Sequence, residues 1–176
     1  MSEDKTLNSK MGQGPIAFGQ RLAGSDVFKT LFREGMVLVE ETATYLDRDG
    51  RSQSRRLSRA GSLAYAAESM RLTTRLMQLA TWLLLQRAVN DGEMPIELAA
   101  VEKAKVRLEG FASATEGPGW DDLPEQLRGL IERSMGLQDR IRRLDGAIDS
   151  DVSTTAQADN PVARQLGRLA EAFGRR

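Results

Sequence analysis

Eight positions near the C-terminal end constrain this chain most. Leu123, Leu127, Leu130, Ser134, Leu137, Ile141, Leu144 and Ile148 step by four, three, four, three, four, three and four. That spacing puts all eight on one side of an α-helix, whereas a strand would scatter them over both faces. It is the seam of a helical bundle or coiled coil, with Ser134 its only polar member. Asp122-Leu123-Pro124-Glu125 ahead of it resembles a capping box. A seam this long needs other long helices to cover it.

Two further long helices are predicted. Ser25 or Asp26 caps the first, which reaches about Leu46 with a stripe of Phe28, Phe32, Met36, Val39, Ala43 and Leu46. Asp47-Arg48-Asp49-Gly50 closes it as a turn. The second runs from about Ser54 to Asn90, with Asp91-Gly92 as its stop. It carries two apolar stripes: Leu72, Leu76, Leu79 and Leu83 form one, and Leu63, Met70, Met77 and Leu84 form another, about 120–160° away at ~100° per residue. Trp82 and Val89 lie off both. A helix that is apolar nearly all round must be covered on several sides, so the second stripe is expected to be a dimer or cargo surface. A shorter helical element starts at Pro95 and reaches about Glu109, with Leu98, Val101 and Leu108 on one face. Gly117-Pro118-Gly119 breaks the chain after it.

The ends read differently. Residues 1–24, with four glycines and Pro15, are expected to be a flexible arm. The bundle domain is 25–148, and the acidic, polar stretch 149–160 reads as a linker. In the tail, 161–176, Val162, Leu166, Leu169 and Phe173 step by four, three and four, beside Arg164 and Arg168. So short a segment is not a stable isolated helix. It either docks on its own bundle or folds in a partner's groove. No run alternates long enough for a strand. The expected fold is all-α: an antiparallel bundle of three long helices with one shorter helical element, a flexible N-terminal arm and a C-terminal tail.

Composition removes most chemistry. The chain has no Cys and no His, which excludes disulfides, Cys/His zinc sites, cysteine nucleophiles and histidine triads. Neither a P-loop nor a dinucleotide turn occurs, since the glycine-rich arm follows no strand. Asp47 and Asp49 do not make a calcium loop, because the required first and twelfth positions would be Tyr45 and Arg56. Glu68, Arg71 and Arg75 at i, i+3 and i+7 read as a structural ion-pair group. Met36, Met70, Met77 and Met135 sit at helical spacing, where gap-filling in the core is the default. The expectation is a chain that is not an enzyme and uses no cofactor. With neither an apolar leader nor a membrane span, it is expected to be cytoplasmic.

Charge comes in blocks. Residues 25–50 are net −3, 51–90 net +6 and 91–122 net −5. The basic helix is expected to find counter-charges on its neighbours, leaving Arg51, Arg55, Arg56 and Arg59 the most exposed. That cluster lacks interleaved aromatics or a nucleic-acid motif, so a nucleic-acid-associated transcriptional regulator ranks behind a protein-binding role, and a purely structural oligomer is the third reading.

Two blocks of residues carry a family resemblance. The first is Phe32-Arg33-Glu34-Gly35-Met36-Val37-Leu38-Val39-Glu40-Glu41-Thr42-Ala43 with Tyr45-Leu46-Asp47. The second runs from Tyr65 to Ala80, then Trp82 to Asn90 with Gly92-Glu93-Met94. Together they resemble the regulator of CtrA degradation (RcdA) family of alphaproteobacteria over about 27–94. The resemblance implies a dimeric three-helix bundle with a disordered tail. It implies an adaptor for the ClpXP unfoldase–protease in the cell cycle, acting with a response-regulator priming protein (CpdR-like). Cargo would include transcriptional regulators, and a cyclic-di-GMP-binding adaptor can join above. The tail would then tether the adaptor through ClpX, while the bundle holds cargo.

Overall fold

The structure is a computed structural model that describes residues 24–106 and 118–158. The described residues form six helices and no strand. These are α1 (Asp26–Asp47), α2 (Asp49–Ser54), α3 (Arg59–Asn90), α4 (Ile96–Lys105), α5 (Pro118–Asp121) and α6 (Glu125–Ala158). Three long helices, α1, α3 and α6, pack on one another around a single core. The arm up to residue 23, Leu108 and the tail residues Val162, Arg164, Leu166, Arg168, Leu169 and Phe173 lie outside the described residues.

The C-terminal seam is the axis of this bundle. All eight of its positions, Ser134 included, are buried, and Ile131 joins them. The helix does not stop where the polar linker was expected: 149–158 continues α6. That stretch holds neither Gly nor Pro. Extending an established helix costs far less than starting one, so polarity alone does not end it.

The first helix is rotated from its expected face. Ser25 caps it, accepting the Val27 N–H at 3.2 Å. Its buried positions are Phe28, Leu31, Gly35, Leu38, Thr42 and Tyr45. Of the predicted stripe only Phe28 is buried; Phe32, Met36, Val39 and Leu46 lie along the flank of the core and Ala43 is exposed. The true seam is a regular heptad whose middle members are small. A Cβ on Gly35 would stand 2.5 Å from Leu83 Cδ1 and 3.5 Å from Leu137 Cδ2. The glycine lets three helices meet, and a search for large apolar residues passes over it.

The second long helix starts later than expected. The Asp47–Gly50 turn leads into α2, and α3 begins only at Arg59, where the Ser58 hydroxyl accepts the Gly61 N–H at 3.0 Å. Gly50 is buried, where a Cβ would collide with the Tyr65 hydroxyl and the Tyr45 carbonyl. At the other end Gly92 takes φ 74°, with Gly92 N–H to the Val89 carbonyl at 3.1 Å and Glu93 N–H to the Ala88 carbonyl at 2.8 Å. This is a Schellman stop, the C-terminal signal expected at Asp91-Gly92.

Helix directions make the bundle antiparallel about α1. Arg133 and Arg140 of α6 pair with Glu41 and Glu34 of α1, so those helices run oppositely. Contacts of Leu83 with Gly35, and of Arg87 with Phe32, set α3 opposite to α1. But Gly61 lies by Asp122, Arg75 by Ser134 and Trp82 by Asp145, so α3 and α6 are parallel. The connection from Asp91 to Pro124 is long enough to bring the chain back along α3 before α6 begins.

Candidate partner-binding surface

The two faces of α3 have different fates. Leu72, Leu76, Leu79 and Leu83 are buried against α1 and α6, and Trp82 is wholly buried as well. Leu63, Met70, Met77 and Leu84 are 75%, 72%, 65% and 52% exposed. These four fall seven residues apart, so they line up along about 30 Å of helix at ~1.5 Å per residue. Exposed Ala66 and Thr73 sit between them at heptad spacing. The result is a narrow strip of large residues alternating with small ones, the pattern into which another helix can set its own side chains. Of the four methionines read as gap-fillers, Met36 and Met135 do pack against the core. Met70 and Met77 do not, because among the described residues no helix lies on their side of α3.

Polar groups hold this strip in orientation. Arg75 is buried and donates to Ser134 Oγ at 2.9 Å, and Ser134 donates to the Ile131 carbonyl at 2.7 Å. Ser134 interrupts the α6 seam for that reason. Burial lowers the Arg75 pKa from its ordinary value, and neighbouring Arg71 lowers it further against the opposing pull of Glu68. Glu68, buried, pairs with half-buried Arg71, so the trio is a structural group as its spacing implied. Trp82 Nε1 donates to Asp145 Oδ1 at 2.7 Å, and the Lys103 ammonium lies 4.4 Å from the Trp82 ring centroid. Lys103 also reaches Gln86, and its ammonium stands 3.7 Å from Asp145 Oδ1. These contacts pin α4 to the end of the bundle through a cation–π contact and an ion pair.

The short helix corrects a sequence expectation. Leu98 and Val101, which the spacing sets on one apolar face, are exposed, and Ala99 is the buried residue. Ala99 is small enough to bring α4 against α3, and the Lys103 stem does the remaining packing.

The basic cluster remains at the surface: Arg51, Arg55, Arg56 and Arg59 are all exposed. Cross-helix ion pairs join α1 to α6 and α4 to α6, while Arg51, Arg71 and Arg87 pair with Asp47, Glu68 and Asp91, close by in sequence. The flanking acidic segments thus meet the basic block at its two ends, through Asp47 and Asp91. Among the described residues no group of three acidic, Cys or His side chains is placed to hold a metal, and no helix is long and apolar enough to cross a membrane.

The fold and this surface define a class: an all-α three-helix bundle with an apolar strip left outside its core. A family profile described as a protein of unknown function (DUF1465) matches residues 19–173. The crystal structure of RcdA from Caulobacter crescentus CB15 is 51% identical, with a TM-score of 0.59, over 74% of this chain and 94% of that one. The chain belongs to this family, the RcdA family. A comparison with curated proteins gives no match.

Proposed function

We propose that this chain is a homodimeric, cytoplasmic adaptor, without enzymatic activity, that helps deliver regulatory substrates to the ClpXP protease in bacterial cell-cycle control. It would act with a CpdR-like response-regulator priming protein, and its cargo would be transcriptional regulators. Family membership supports the reading, and the observation that carries it is the exposed Leu63, Met70, Met77 and Leu84 strip. An apolar strip of this length on a well-packed scaffold is the mark of a contact surface for protein, either a second copy or cargo. Met side chains suit a surface that must accept more than one shape.

The tail has the second role. Val162, Leu166, Leu169 and Phe173 would fold onto the ClpX unfoldase complex, with Arg164 and Arg168 flanking them. Holding the adaptor at the protease while the bundle holds cargo raises the effective concentration of one for the other. The test is a pull-down from source-organism lysate with full-length protein and with residues 1–160. Recovery of protease, response regulator and cargo by the first, with protease alone lost from the second, is the expected result. Equal recovery of protease by both would remove the tail from the mechanism.

A second reading rests on the exposure of Arg51, Arg55, Arg56 and Arg59, which makes a basic patch available to nucleic acid. Duplex-DNA filter binding decides it. Affinity that falls steeply with salt, and is lost on replacing these four arginines, favours that reading.

A further inference from the structure

On the side of the bundle where α1 and α6 lie against each other, two concavities of about 660 and 610 Å³ sit end to end. Both are lined by Arg140 and Arg143, which makes them one groove. Its base is closed by the core leucines Leu31, Leu38, Leu137 and Leu144, each at most 5% exposed, and the apolar surface it offers comes from Val27, Val37 and Ala147. Val27 and Val37 stand half-exposed along one wall.

The rim has a sign. Arg33, Arg133, Arg140 and Arg143 line the groove against Asp26 and Glu34, and Glu41 pairs with Arg133 beside it, which leaves a net of +1. Glu41 holds Arg133 and Glu34 holds Arg140, but Arg33 and Arg143 are outside these cross-helix pairs. We infer that this groove docks an acidic amphipathic helix from a partner protein, with aliphatic side chains against Val27, Val37 and Ala147 and Asp or Glu toward Arg33 and Arg143. The charge excludes two other occupants. The chain's own tail, 161–176, carries four arginines and one glutamate and has the wrong sign. Two copies meeting groove to groove would set like charge against like charge, with Arg33 and Arg143 facing their own copies. The site is distinct from the α3 strip, since no residue is shared between them.

The probe is a fluorescein-labelled fourteen-residue helical peptide with leucines at i, i+3, i+7 and i+10 and glutamates flanking them. Its twin carries lysines in place of the glutamates. Anisotropy is read with the full chain at low salt. The glutamate peptide binds at least ~tenfold tighter than the lysine peptide, because complementary charge selects the partner. In the double variant Arg33→Glu, Arg143→Glu the preference reverses, while the thermal midpoint stays unchanged because both side chains are exposed. Met77→Glu leaves glutamate-peptide binding intact. Equal binding of both peptides, binding of neither, or an unaltered preference in the double variant overturns the inference. So does loss of binding in Met77→Glu, which would place the peptide on the α3 strip.

Discussion

Helix α3 carries two apolar stripes of similar length and period, and only one of them is used to fold the chain. Leu72, Leu76, Leu79 and Leu83 meet α1 and α6, whereas Leu63, Met70, Met77 and Leu84 meet nothing within the described residues. Periodicity cannot tell these stripes apart, because both are regular. What separates them is whether a neighbouring helix offers a complementary line. The buried stripe has Gly35 and Leu137 opposite Leu83. The exposed stripe points away from both neighbours, so its apolar area is available to a partner.

The largest effect expected on this contrast is in the buried stripe. Leu83→Ala should cost about 2–5 kcal/mol, since Leu83 is fully buried and truncation removes its core contacts. Chemical denaturation reads this as a lower midpoint at unchanged slope. Gly35→Val should come next, at about 1–3 kcal/mol, by forcing side-chain bulk into Leu83. Adding Leu83→Ala to it should recover part of that loss, and a double-mutant cycle measures the coupling. Strict additivity would mean that Gly35 is needed for something other than close approach.

On the exposed stripe, Met70→Ala with Met77→Ala should change monomer stability by no more than about 0.5 kcal/mol each. The same pair should weaken partner capture, measured by co-purification. The smallest effect is electrostatic and lies at the far end of α6. Burial, with help from Asp145 and against Lys103, raises the Asp149 pKa above its ordinary 3.8. Its proton is then held more tightly folded than unfolded. The stability this gives is present at low pH and lost as pH rises through the unfolded value toward the raised folded one. Asp149→Asn should therefore raise the melting temperature slightly at neutral pH, with the gain vanishing near pH 3.

Much of this was legible in the sequence for a physical reason. The α6 seam and the Leu72–Leu83 stripe are large, regular and apolar, and burial follows directly. The α1 seam was misread by one residue because Gly35 and Thr42 occupy positions where close approach matters more than hydrophobicity. The spacing of Phe28, Leu31, Leu38 and Tyr45 held the signal, which the larger flanking residues Phe32 and Met36 obscured. The role of Ser134 was invisible locally, since it depends on Arg75, fifty-nine residues away. The parallel run of α3 and α6 depends on the connection between them, where periodicity is silent. The α3 strip was visible as a stripe without a place in the bundle, and the groove between α1 and α6 was not, because it exists only once two helices lie together.

The most direct test of the two-faced helix is one comparison made on full-length protein. Met70→Glu with Met77→Glu, and separately Leu83→Ala, are measured at fixed low concentration for melting temperature, and by light scattering for mass and cargo capture. The glutamate pair should melt with the wild type and lose self-association or cargo, while Leu83→Ala melts far lower. A glutamate pair that melts as low as Leu83→Ala, or that associates and captures cargo as the wild type does, would contradict the assignment of the exposed stripe to binding.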